Sequence, residues 1–391
     1  MTRHAPWLLH VLLCSATLAG SGCLSSQRGA EQRWALERER SAGPAVLVQW
    51  TLDLVAPFTG AYVPVEPASP ATDASTGRVY VGTTLGQLFA FDAGGRQLYR
   101  IDAKSGIEAQ PVVDSVHDAL YAATVRGDVL ALHAQDGSPR WTASAGAPIS
   151  QPGLLSSDAL YLVADDDSVV ALSRSDGTVL WRYHREPHEG LSIAGHAGLV
   201  EAGGKLITAF GDGAVVALDA SDGRVLWETD TSVDLGDTDA MRRFTDVDTT
   251  PAIAGDIVYV ASFSGGLYGL ELASGTVHTH EADLHGITAI TATQDALLLS
   301  SADDGVVCLD LPGLTLRWRH AVPRGAPGRT EVHGDNVYVA ESLGALLALS
   351  LADGHETGRL ESAHGFTSAP AFSGRRGFAL SNAAKLYAFN F

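Results

Sequence analysis

A chain of 391 residues, 46% of them hydrophobic and 18% charged, has the make-up of a folded protein rather than a disordered one. A formal net charge of −19 excludes the basic stripe that a nucleic-acid backbone requires, so the acidity is read as serving solubility. The three cysteines, Cys14, Cys23 and Cys308, exclude an intramolecular disulfide framework, because the first two lie in or at the end of an apolar leader.

Residues 1–23 read as an export signal. Arg3 supplies the positive end, Trp7 to Ala19 the apolar segment, and Gly20-Ser21-Gly22 leads into Cys23. An apolar run of that length is too short to span a bilayer. Small residues ending in cysteine resemble a bacterial lipoprotein signal, in which the cysteine is acylated, with palmitate among its chains, and becomes the first residue. The position three before Cys23 holds Gly20, with Leu18 two residues too early, and the competing reading is ordinary cleavage after Ala19. Leu24 follows the cysteine, where an Asp would retain a lipoprotein in the inner membrane. Residues 24–45 form a tether whose mixed Glu and Arg, from Glu31 to Arg40, give no strong membrane-surface face.

From residue 46 onward the chain repeats itself. The stretch Leu346-Leu-Ala-Leu-Ser-Leu351 has seven relatives, starting at Leu88, Val129, Val169, Val215, Leu267, Val306 and Leu386. Successive starts are 41, 40, 46, 52, 39, 40 and 40 residues apart, the period of a propeller blade. Each copy is too short for a helix and is bounded by Gly, Asp or Ser turns, so it reads as a strand. Its third position is Ala in six copies, Gly269 in one and Cys308 in one, which implies a backbone or large side chain pressing on that face. About ten residues earlier lies a second strand (Val79-Tyr-Val-Gly82 and its equivalents), joined to the first by a tight polar turn. Downstream, a Ser-Asp-Gly type of turn leads to an outer strand expected to end in an aromatic: Tyr99, Trp141, Trp181, Trp227 or Trp318. An innermost strand follows Pro70, Pro111, Pro152, Pro251 and Pro370. Four antiparallel strands per unit predict an all-β, eight-bladed β-propeller over residues 46–391. Val46 to Leu54 reads as a lone outer strand, and residues 368–391 supply only three strands, so the two ends are expected to complete one blade.

Two connections break the period: an excess of 6 residues around Tyr183 to Gly195, and one of 12 around Thr231 to Asp248. Both run from an outer strand to the next inner strand and flank the same blade, residues 196–232. Insertions in a repeat scaffold map to loops, often on the binding face. No nucleophile motif or phosphate-cradling loop is present, so the chain is read as non-catalytic and without a cofactor. Asp165-Asp-Asp167 and Asp303-Asp304 occupy ordinary hairpin turns, where Asp is favoured by geometry. His278 and His280 stand at alternating spacing on an outer strand, an arrangement able to begin a metal site. Cys308 reads as a core residue in place of alanine.

Repeats of this type, Leu-Tyr-Ala-Leu-Asp with Gly and Trp following, resemble those of the pyrroloquinoline-quinone propeller family, which holds both quinone dehydrogenases and non-catalytic lipoproteins. Arg243-Phe-Thr-Asp-Val-Asp-Thr-Thr-Pro251 and Leu191-Ser-Ile-Ala-Gly195 are similar to two loops of BamB-type outer-membrane assembly lipoproteins. That resemblance implies a scaffold of the β-barrel assembly machinery. It would be lipid-anchored at Cys23 to the periplasmic face of the outer membrane, present as one copy within a complex, and docked on a BamA-like barrel-inserting subunit. Leu191 and Ile193 would be the apolar contacts, Asp246 and Asp248 the acidic ones; the family's Arg is Ala194 here. The rival readings are a quinone-dependent dehydrogenase, against which stands the lack of an adjacent Cys-Cys pair, and a propeller adaptor with another periplasmic partner.

Overall fold

The computed structural model describes residues 46–56, 65–186, 197–232 and 247–390. The leader with Cys23 and the whole tether lie outside the described residues. Every regular element among the described residues is a β-strand, and the strands form eight four-stranded antiparallel sheets. Blades 1 to 7 are consecutive in the chain: residues 71–102, 112–144, 154–184, 200–230, 252–281, 287–320 and 331–361. Blade 8 joins the two ends, with Leu47–Asp53 paired to Lys385–Asn390 outside Arg376–Leu380 and Ala371–Ser373. The expected closure by a shared blade is therefore present.

The apolar core is divided as the repeat dictates. Alternate residues of a middle strand point to opposite faces, so each blade contributes to two seams. Val79 and Val81 of blade 1 pack with Phe378, Leu380 and Leu386 of blade 8. Tyr80, between them, packs with Leu120, Ala122 and Leu132 of blade 2. Eight buried clusters result among the described residues, one per seam. Burial at seams lets a ring of this size grow without a single oversized core.

The small third position is explained by its partner across the sheet. Ala90 lies opposite Tyr99, Ala131 opposite Trp141, Ala171 opposite Trp181, Ala217 opposite Trp227, Cys308 opposite Trp318 and Ala388 opposite Trp50. The expectation that the aromatic ends its strand is corrected. Trp181 is the third residue of Val179–His184, and the strand continues past it with alternate residues exposed. A β-bulge sits next to each of these aromatics and re-aims it toward the following blade.

There the indole N–H bonds a backbone carbonyl: Trp50 to Ala93 at 3.2 Å, Trp141 to Arg174 at 2.9 Å, Trp181 to Ala220 at 3.0 Å, Trp227 to Leu272 at 3.1 Å and Trp318 to Leu351 at 2.9 Å. The Tyr99 hydroxyl does the same to Ala134 at 3.0 Å. The ring lies flat on the glycine of that blade's turn. A Cβ at Gly177 would stand 2.5 Å from Trp141, and one at Gly223 2.5 Å from Trp181. These glycines have φ near +75°, so both backbone and space require glycine.

Two seams lack the aromatic, and each lacks the glycine turn it would dock on. Blade 5 has Thr279 opposite Gly269, and the corresponding turn of blade 6 has Leu314, which packs into that seam in place of an indole. Blade 7 has Gly358 opposite Ala348, and blade 8 has no such turn, because its outer strand comes from the other end of the chain. That seam is held by Tyr338, Phe366, Phe372, Phe389 and a His333 ring stacked 4.4 Å from Phe372.

Candidate docking site

In a four-stranded meander, the turn between the second and third strands opens on the same side as the connection to the next blade. Both insertions therefore leave the ring on the side of these turns, and their described ends converge on one of them, Phe210-Gly-Asp-Gly213 of blade 4. The first insertion leaves through Arg185. Its Nε and Nη2 reach Asp212 Oδ2 at 2.6 Å, its Nη1 donates to Glu228 Oε1 at 3.0 Å, and the guanidinium lies 5.7 Å from the centre of the Phe210 ring. Burial opposes the charge on Arg185, but Asp212, Tyr183 and Glu228 outweigh it and raise its pKa.

The second insertion leaves through Thr231 and Ser232. Thr231 donates to the Gly213 carbonyl through its N–H at 3.0 Å and its hydroxyl at 2.9 Å, while its own carbonyl accepts from the Tyr268 hydroxyl at 3.1 Å. It returns at Val247, which is fully buried between blades 4 and 5 and donates its N–H to the Phe210 carbonyl at 3.4 Å. Thr249 is buried and exchanges hydrogen bonds with Ala261 at 2.9 and 3.1 Å. The Thr250 hydroxyl accepts from Gly198 N–H at 2.9 Å, and Gly198 lies just inside the return of the first insertion. One turn thus carries the outgoing ends of both insertions and the return of the second, and the two returns are bonded to each other.

Of the residues read from the sequence as partner-binding, Leu191, Ile193 and Asp246 lie outside the described residues, as does Ala194. Asp248 is described and half-buried, between the buried Val247 and Thr249. Most of the described part of Asp-Val-Asp-Thr-Thr-Pro therefore serves the joint between blades rather than an open surface. Arg185, Asp212, Glu228 and Phe210 were missed in the sequence. Phe210 carried a signal, since the other repeats place no aromatic at that point but Thr83, Thr124, Ala164, Ser262, Ser301, Glu341 and Ser381.

The other candidates fall to ordinary structure. His278 and His280 do not share a face, because the bulge at His278 breaks the alternation. His280 is stacked 4.0 Å from Tyr268 and bonded to the Gly265 carbonyl at 2.8 Å. No group of three or more His, Cys, Asp or Glu able to hold a metal occurs among the described residues. The Cys308 thiol is fully buried against Trp318, and burial pushes its pKa up to about 11, which fits a core role. The leads into the inner strands of blades 1, 2, 3, 7 and 8 line a polar cavity of about 300 Å³ with Glu108, Gln110, Gln151, Arg329 and Glu331.

The family model for outer membrane protein assembly factor BamB matches residues 113–313, just over half of the chain and a span that includes both insertions. The chain belongs to the BamB family. The BamB of Yersinia pestis is 24% identical over 329 residues, covering 80% of this chain and 81% of that protein. The crystal structure of BamB from Moraxella catarrhalis superposes with a TM-score of 0.74 at 20% identity, over 89% of this chain and 100% of that one. A quinohemoprotein alcohol dehydrogenase from Comamonas testosteroni shares the fold, with a TM-score of 0.67 at 12% identity, over 88% of this chain and 76% of that one. The BamB match and the dehydrogenase likeness thus meet in the propeller, while the family assignment rests on the BamB sequence model.

Proposed function

We propose that this protein is a non-catalytic scaffold of the outer-membrane β-barrel assembly machinery, anchored by acylated Cys23 to the periplasmic face of the outer membrane. A rigid ring presents the two insertions flanking blade 4 to a BamA-like barrel-inserting subunit. The observation that carries this reading is the convergence of both insertions on the Phe210–Gly213 turn, within a chain of the BamB family. Apolar Leu191 and Ile193 in the sequence of one insertion, with acidic Asp246 and Asp248 in or next to the other, are the residue types of a small interface, in which a few apolar anchors sit within a charged rim. The face around them is acidic among the described residues, with Asp165, Asp166, Glu186, Asp212, Glu228 and Asp230, and Arg185 is held by two of these acids. The contacting patch of the partner is accordingly basic as well as apolar, and association slows as salt rises.

A pull-down from solubilised outer membranes tests the assignment. Recovery of the barrel-inserting subunit with the intact protein supports it. Quinone-dependent dye reduction by the purified protein, with no assembly subunit recovered, favours the dehydrogenase reading instead.

A further inference from the structure

We propose that Arg185 is a positioning residue for docking: with Asp212, Glu228 and Phe210 it fixes the root of the first insertion on the turn that also roots the second, so that the two are presented as one unit. This rests on the docking role given above for the insertions. Backbone bonds recur at other blade exits, such as Ala103 N–H to the Gly86 carbonyl and Ala145 N–H to the Gly127 carbonyl, both at 2.8 Å. Side-chain bonds to the next blade are added at some of them: Ser150 donates to Asp165 at 2.8 Å, and Arg324 reaches Glu361 at 3.4 Å. The first insertion has in addition a charged fork, 21% exposed, spanning the turn and the outer strand of the neighbouring blade. Asp212 Oδ1 accepts from Ala214 N–H of its own blade at 3.0 Å and Oδ2 takes Arg185, so the fork ties blade 3 to blade 4 at the point where the insertion leaves. The second insertion returns to the carbonyl of Phe210 and leaves across the carbonyl of Gly213, on either side of Asp212. A shift of that turn therefore displaces both roots together.

The chain supplies a matched control. Arg317 is 20% exposed and also bridges two acids, Asp310 at 2.5 Å and Asp295 at 3.0 Å, but on the opposite side of blade 6, at the turns away from the insertions. Arg185→Gln and Arg317→Gln remove the same charge from the same degree of burial.

The test measures binding of the full mature chain to the purified periplasmic region of the barrel-inserting subunit, with thermolysin cleavage within residues 187–196 as a second readout. Arg185→Gln and Asp212→Asn should each weaken binding by roughly tenfold and speed cleavage, and the double variant should lose no more than the worse single, since both remove one interaction. Arg317→Gln should bind and cleave like the unmodified protein. Equal losses from Arg185→Gln and Arg317→Gln would reduce the effect to general loosening and overturn the proposal. Undiminished binding by Arg185→Gln, while Leu191→Ala with Ile193→Ala loses it, would also overturn it and leave the docking role standing. Undiminished binding by that loop pair would remove the docking role itself. If Arg185→Gln does not fold, Asp212→Asn and Glu228→Gln carry the same comparison.

Discussion

The pairing of each docked aromatic with a glycine one blade ahead can be tested by a double-mutant cycle at the seam between blades 3 and 4. Trp181→Ala removes a half-buried indole and its N–H bond to Ala220, at a cost of about 3–5 kcal/mol. The Ala220 carbonyl is not left bare, because the Tyr161 hydroxyl also donates to it at 3.0 Å. Gly223→Ala carries two separate costs. A non-glycine residue at φ +75° costs about 1–2 kcal/mol. The new methyl, 2.5 Å from the indole, adds about 1–3 kcal/mol of overpacking. In the Trp181→Ala background the second cost disappears and only the backbone cost remains. The double variant should therefore be more stable than the sum of the singles by about 1–3 kcal/mol. Urea unfolding followed by far-ultraviolet circular dichroism gives the four values without relying on the deleted fluorophore. Additivity within about 0.5 kcal/mol would refute the idea that ring and glycine are one device.

Three further outcomes follow from the same structure. Deleting residues 386–390 removes the strand between Leu47–Asp53 and Arg376–Leu380, so the ring should open at blade 8 and melt well below the intact protein; an unchanged melting temperature would contradict closure. Burial alone would raise the Asp73 carboxyl, but hydrogen bonds from Ser75, Thr76 and Ser115 outweigh it and hold its pKa down to about 2, from 3.8. The carboxylate therefore stabilises the fold above about pH 4 and loses that effect as pH falls through about 2, so the deficit of Asp73→Asn should shrink over this window, and a pH-independent deficit would argue against it. Cys23→Ser should yield an unacylated protein released from membranes, read by loss of labelled palmitate; label persisting in the variant would assign the anchor elsewhere.

The architecture was legible because a propeller repeats its physics. A small residue recurs every 40 or so positions in all eight copies, a Tyr-containing strand precedes it in five, and a turn closed by a glycine under an aromatic ring follows it in six. The extent of the outer strand was less legible. Residues such as Arg182 and His184 beyond Trp181 belong to a solvated edge, where polar alternation looks like the start of a loop. The two histidines were misjudged for a related reason: alternation assumes an unbroken pleat, and the bulge at His278 breaks it. At the docking face, the broken period located both insertions, but Arg185 meets Asp212 and Glu228 only after blades 3 and 4 are stacked. No local spacing records that meeting. Val247 and Thr249, read only within a docking motif, prove to be inward-facing because the return of the insertion must also seal a seam.

Binding of the full mature chain to the periplasmic region of the barrel-inserting subunit, before and after Leu191→Ala with Ile193→Ala, tests the central claim most directly. Loss of two apolar anchors should cost about 2–4 kcal/mol, on the order of 30- to 1,000-fold in Kd, and Asp246→Ala should cost less, with a loss that fades at high salt. The paired substitution His278→Ala with His280→Ala, on an outer strand, should leave affinity unchanged. Full affinity in the loop variants, together with loss in the outer-strand variant, would place the docking surface on the rim of the ring and contradict the account.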